Sequence, residues 1–325
     1  MNAAELRGVT KAFGAQVAVD DLTLDVPRGS IYGFIGPNGS GKTTTLRMIM
    51  NILLPDAGSI RLLDGSAPGG CTERMGYLPE ERGLYRRMKV RDQLQFIAQL
   101  KRGRRMAREI DAWLDRLGLA AWADRKIEAL SKGMSQKVQF IAAVASEPEL
   151  LILDEPFSGL DPVNVDLLRA AVIDLRRAGV TVIFSTHDMS VAETLCDFIL
   201  MIFRGRKVLD GTLHAIQDRY GADVLKVQIE GDGSLLADLP GVERVVDRGQ
   251  CQELRLAPSA DSQAVLAALA GRGRVRHFEV TRPSLHDIFV RIAGPEAASK
   301  PPRDEPVPGL APPAAPGPEN RSSLS

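Results

Sequence analysis

The sequence predicts an α/β domain built on a mostly parallel sheet, then a small α+β domain, then a disordered tail. Three observations carry this. Residues 1 to about 215 alternate short apolar runs with helical patterns, as a parallel sheet with crossover helices requires. Residues 222–292 switch to closely spaced strand patterns around a single helical stretch. From Gly294 the chain is rich in Pro, Ala and Gly, and so lacks the apolar surface to offset ordering entropy.

Within the first segment, "AELRGVTKAF" and "VAVDDLTLDVPRG" alternate like antiparallel strands. "IYGFIG" (31–36), "ELLILDEP" (149–156) and "VTVIFSTH" (180–187) read as buried strands ending in polar residues. In such sheets ligands bind at the strand ends. Between about 84 and 148 the pattern is helical and basic, which reads as a helical insertion in the sheet domain. Its Arg86, Arg87, Lys89, Arg91 and the run 101–108 fit solvated helix faces, or docking beside a membrane protein or anionic headgroups. In the second domain "VLKVQIE", "VERVVD", "QELRLA" and "RVRHFEV" are strands, with "DSQAVLAALAG" a helix, in a βαββαβ-like arrangement.

Composition narrows the function. A chain of 325 residues has room for two domains. Basic and acidic residues balance at 41 each, so net charge gives no sign of a nucleic-acid partner. Cys71, Cys196 and Cys251 form no metal or disulfide spacing and fit a reducing compartment. No apolar stretch follows the N-terminus, so no signal peptide is expected, and no run approaches the ~20 residues that cross a bilayer.

Two stretches carry chemistry. "GPNGSGKT", comprising Gly36, Pro37, Asn38, Gly39, Ser40, Gly41, Lys42 and Thr43, fits G-x-x-x-x-G-K-[ST] between a strand and a helix starting near Thr44. Glycines let the backbone wrap phosphates, Lys42 supplies a point charge, and the Thr43 hydroxyl can hold Mg²⁺. The strand before Asp154-Glu155 then offers Asp154 as a second Mg²⁺ oxygen and Glu155 as a general base. His187 ends a strand at the same edge, where it can reach a γ-phosphate. "LSKGMSQKVQF" opens a further helix with Ser131 at the N-cap, a second anion site without an obvious anion.

With these motifs in order, residues 4 to about 215 resemble the ATP-binding cassette (ABC) family, as a transporter ATPase subunit. Phe13 in "KAFG" matches the aromatic that stacks on adenine. "LLILDEP" matches the Walker B strand, "SGLD" (158–161) the D-loop with Asp161, and "LSKGMSQK" the LSGGQ signature. The resemblance implies that ATP and Mg²⁺ are bound, with Glu155, His187 and Lys42 catalytic. It also implies a head-to-tail dimer, in which Ser131 and Gly133 complete the site of a second copy or related cassette. A separately encoded membrane permease would be energised from the cytoplasmic face of the membrane, and no nucleic acid would be bound. Two departures stand out. Lys132 and Met134 replace Gly and Gln in the signature; Lys132 would face solvent or add a cation near a phosphate. Glu80 replaces the Q-loop Gln, in a "LPEERGLY" stretch that resembles one branch of bacterial exporters whose small C-terminal domain ends like "PSLHDIFVRI". Glu80 would still offer an oxygen to Mg²⁺. The rival reading, a soluble cassette acting on ribosomes or DNA, is opposed by a single cassette without a heptad insertion.

Overall fold

The computed structural model describes residues 1–294, except 82, 221–223, 231–235, 237, 248, 250 and 258–259. Of the tail expected from Gly294 on, residues 295–325 lie outside the described residues. Strands β1 (Asn2–Phe13) and β2 (Gln16–Pro27) form a hairpin, and β4 (Ala57–Leu62) pairs with the other side of β1. This antiparallel sheet leans on a six-stranded sheet of order β5-β6-β7-β3-β8-β9. Its members are β3 (Ile31–Ile35), β5 (Met75–Leu78), β6 (Leu150–Asp154), β7 (Thr181–Thr186), β8 (Phe198–Phe203) and β9 (Arg206–Gly211). All its pairings are parallel except the β8–β9 hairpin. Strands β3, β6 and β7 are buried at every residue, as strands covered on both faces must be. Register aligns Ile35 with Thr186 and Asp154 with Ser185, so the loops after all three strands open on one edge.

The inserted segment holds helices α2 (Val90–Arg102), α3 (Ala107–Arg116) and α4 (Lys132–Val144). Helix α4 presses against β5 where Gly76 has no side chain; a Cβ there would lie 2.3 Å from the Ala143 carbonyl oxygen. The basic residues do more than face water. Lys101 Nζ donates to the Met75 carbonyl at 2.7 Å, and Arg102 donates to the carbonyls of Ser146 and Glu147. They tie the end of α2 to the sheet.

In the last segment β10 (Val224–Ile229), β11 (Val242–Asp247), β12 (Gln252–Leu256) and β13 (Val275–Thr281) form an antiparallel sheet of order β11-β12-β10-β13. Helix α8 (Ser262–Arg272) packs Val265 and Leu269 on its core. The first helix of a βαββαβ chain would fall at 231–235 and 237, outside the described residues. Helix α9 (Leu285–Ala293) starts with a reciprocal cap between Ser284 and Asp287. It leaves this core and buries Leu285 and Ile288 with Ile35, Ala192, Met201 and Ile216 of the larger sheet domain. Among the described residues no helix is long and apolar enough to cross a membrane.

Candidate active site

The loop after β3 wraps tightly because Gly36, Gly39 and Gly41 all have positive φ. Close approach adds to the need at two of them. A Cβ on Gly36 would lie 2.2 Å from the Ile202 carbonyl oxygen, and one on Gly41 would lie 2.4 Å from that of Ala18. Helix α1 (Lys42–Ile49) follows at once, with Gly41 as an N-cap that supplies no side-chain acceptor. Its first N–H groups are therefore free for an anion. Lys42 is 5% exposed, and its Nζ donates to the carbonyls of Gly36 (2.7 Å) and Pro37 (3.0 Å). Burial pulls its pKa down, while the charges of Glu155, Asp154 and Glu80 pull it back up. The Ser40 hydroxyl, also in the loop, is buried without a hydrogen-bond partner.

The loop borders a cleft of about 470 Å³. Phe13, Asn38, Gly39, Gly41, Lys42, Thr43, Thr44, Glu80 and Glu155 all line it, as do Gln16 and Ala18, which sequence reading missed. A signal existed: with a strand period of two, Gln16 and Ala18 share one side of β2 beside the turn that carries Phe13. Phe13 is half exposed at the rim, where it can stack on a flat ring.

From the cleft wall, Thr43 Oγ1 donates to Asp154 Oδ1 at 3.2 Å, and Asp154 itself lies behind the lining. Asp154 is wholly buried, yet its Oδ2 has no hydrogen-bond partner. An orphaned hard oxygen beside the Thr43 hydroxyl is a donor set that fits Mg²⁺. Glu155 follows with φ +49. Its carboxylate Oε1 lies 2.9 Å from His187 Nδ1. Glu155 is 9% exposed, while His187 is largely exposed and does not itself line the cleft. Glu80 joins this acidic rim. Its pKa is raised, first by partial burial, then by repulsion from Asp154 and Glu155, with Lys42 opposing.

The remaining predicted residues sit together elsewhere. Ser131 caps α4 by accepting the Met134 N–H at 3.2 Å. Asp161 caps α5 (Pro162–Arg177) by accepting from Asn164. A Cβ on Gly133 would touch Leu160 at 3.4 Å, so the signature turn and the "SGLD" turn adjoin. Lys132 runs along Gly159 of that second turn, with Nζ 2.5 Å from where a Cβ would stand. Lys132 is exposed, so it faces solvent as it runs along that turn. None of Ser131, Gly133 and Asp161 lines the cleft that holds Lys42.

A glycine-rich phosphate loop, a buried Asp bonded to a Thr of that loop and a Glu–His pair on one sheet edge define a nucleotide-binding P-loop ATPase. Comparison with known proteins narrows the class. An ABC transporter family model matches residues 19–158, and a model for the C-terminal domain of DrrA1-3-like ATP-binding proteins matches residues 211–293. The chain is 44% identical to the uncharacterized ABC transporter ATP-binding protein YhaQ of Bacillus subtilis (strain 168), over 88% of this chain and 97% of that protein. It is 34% identical to the Nod factor export ATP-binding protein I of Rhizobium sp. (strain N33), over 90% of this chain and 98% of that one. A solved ATP-binding subunit of an ABC transporter superimposes with TM-score 0.63 at 30% identity, covering 67% of this chain and 93% of the other. A nucleotide-free ATP-binding cassette, 22% identical with TM-score 0.60, shares the fold. The chain belongs to the ABC transporter ATP-binding protein family, whose members hydrolyse ATP to power transport.

Proposed function

We propose that the chain energises a separately encoded membrane permease, as an exporter, through a head-to-tail dimer of cassettes that sandwiches two ATP molecules. The observation that carries this reading is the separation of two half-sites. Lys42, Thr43 and Glu155 share one cleft, while Ser131 and Gly133 stand outside it with their helix N-terminus available to another chain's nucleotide. The export-named relatives support the exporter reading over a soluble cassette acting on ribosomes or DNA.

The chain's residues divide the work. Phe13 stacks on the adenine, and the N–H groups after Gly36 hold the phosphates. Glu155 accepts a proton from the attacking water, His187 steadies Glu155 and the γ-phosphate, and Lys42 offsets charge that builds on the departing phosphates. Thr43, Asp154 and Glu80 would hold Mg²⁺, which supplies charge neutralisation. The products are ADP and phosphate. The partner's Ser131 and Gly133 equivalents close the site, so an isolated monomer binds ATP but turns it over poorly. The test is gel filtration of Glu155→Gln. Elution as a dimer with Mg-ATP and as a monomer without it is expected; a monomer in both states would refute the sandwich.

A further inference from the structure

Strands β6 and β7 end side by side, with Asp154 paired to Ser185. We propose that Ser185 is a positioning residue for ATP hydrolysis, a role that rests on the reading of Asp154 and Glu155 given above. Its hydroxyl donates to Asp154 Oδ1 and accepts the Glu155 N–H at 3.1 Å. One buried hydroxyl therefore holds both neighbouring acids of the site.

The consequence for Asp154 is one of orientation. Thr43 and Ser185 both donate to Oδ1, which leaves Oδ2 as the buried oxygen with no donor. Two donors on one oxygen fix the plane of the carboxylate, and tilting it out of that plane would weaken both bonds. Ser185 thus fixes where the free oxygen points for a divalent ion, at a position where an unmatched carboxylate oxygen is otherwise costly.

The consequence for Glu155 is conformational. A residue at φ +49 is in a region that branched and long side chains rarely occupy. The Glu155 N–H is held by both the carbonyl oxygen (3.3 Å) and the hydroxyl of Ser185. This double acceptor pins the backbone that aims the general base. Strand β7 does not need a hydroxyl at this position for its own sake: Ser185 is fully buried after the apolar run Val182–Phe184, where valine has the higher strand propensity.

Ser185→Thr and Ser185→Val form a matched pair of equal shape, one with the hydroxyl and one without. Three readouts separate position from packing: equilibrium ATP binding in EDTA, the same binding across a Mg²⁺ titration, and kcat against KM. In EDTA all three proteins should bind ATP alike. Ser185→Val should need about tenfold more Mg²⁺ for half-maximal enhancement of ATP binding. Its kcat should fall about 10–100-fold with KM for ATP within about twofold. Ser185→Thr should restore both. If valine does not fold, Ser185→Ala removes the hydroxyl without added bulk and is read in the same way. Equal behaviour of the hydroxyl-bearing and hydroxyl-free variants would overturn the proposal. If wild-type ATP binding is indifferent to Mg²⁺, the reading of the whole acidic pair falls, and the role of Ser185 with it.

Discussion

Glu193 accepts the backbone N–H of Leu285, joining helix α6 (Met189–Leu195) to the first turn of α9. The bond crosses from the sheet domain to the chain's last described helix. A carboxylate at a helix N-terminus satisfies a free donor and complements the helix dipole. Beneath it, Leu285 is fully buried against the cluster that includes Ala192 of α6 and Ile35 of β3. Gln217 adds a bond to the Pro283 carbonyl at 3.0 Å. Helix α9 is therefore part of the sheet domain's own packing. Leu285→Ala should destabilise the protein by about 2–5 kcal/mol through cavity formation. Glu193→Ala should cost about 1.5–3 kcal/mol through loss of a charged acceptor. Both are read as a lowered midpoint in thermal or urea unfolding. Unchanged midpoints would mean that α9 does not dock there in solution.

Glu155→Gln keeps the volume of the side chain and removes its basicity. The His187 contact at 2.9 Å can be kept as an amide–imidazole hydrogen bond, so the site should stay assembled. Turnover should fall by about 10²–10⁴-fold, the range that a positioned base contributes. ATP affinity should hold, because the phosphate loop and Phe13 are untouched. Steady-state phosphate release and equilibrium ATP binding measure the two separately. Near-normal turnover would remove Glu155 from the base role.

How much of this could be read from the sequence depends on whether a feature is local. The loop Gly36–Thr43 was legible because glycine spacing, the strand before it and the helix after it lie within one short stretch. The strands ending at Asp154 and at Thr186, just before His187, were legible for the same reason. The shared grip of Thr43 and Ser185 on one oxygen of Asp154 was not, because it depends on the register of β6 against β7. Neither strand's composition encodes that register. Gln16 and Ala18 reach the cleft only because the β1–β2 hairpin folds over the start of α1, with Ala18 facing Gly41. The pattern of "PSLHDIFVRI" says that one face is buried, without naming its partner. The motif spacing alone allows Lys132 to face solvent or a phosphate. Its place along Gly159 follows from how the two turns fold together.

The shared-site arrangement can be tested by complementation. Ser131 is exposed at the N-cap of α4, so Ser131→Arg should fold normally while blocking the partner's phosphate pocket. Lys42→Ala should disable a chain's own pocket. Each variant alone should be inactive in both sites of its homodimer. In a mixed dimer both defects fall on one site and leave the other whole. Mixing equal amounts should restore about a quarter of wild-type activity: half the dimers are mixed, and each has one intact site. Subunit exchange is followed by labelling the two chains. Exchange without recovered activity would rule out the head-to-tail model.

Glu80 offers a test of electrostatics, because it sets a third carboxylate near Asp154 and Glu155. Its carboxyl titrates above the ordinary value of 4.5, chiefly through partial burial and then through those two like charges. The sign follows by linkage. Between 4.5 and its raised folded value, the folded protein binds more protons at this group than the unfolded chain does. The contribution of Glu80 to stability therefore falls as pH rises through that window, and the penalty is complete above it. In the nucleotide-free protein, Glu80→Gln should gain stability relative to wild type as pH is raised from about 4 to 7. The gain should stay below about 1 kcal/mol, because the residue is substantially exposed and its charge is screened. A bound divalent ion reverses the logic, since it favours the charged form. Mg-ATP should shrink or abolish the difference, and Glu80→Gln should make ATP-driven dimerisation less dependent on Mg²⁺. Glu81→Gln is the control, and should leave both measurements as in wild type. The measurements are unfolding midpoints across pH and a Mg²⁺ titration of dimer formation. Superimposable curves for wild type and Glu80→Gln would leave Glu80 without a metal-sensing role and favour a contact with the permease.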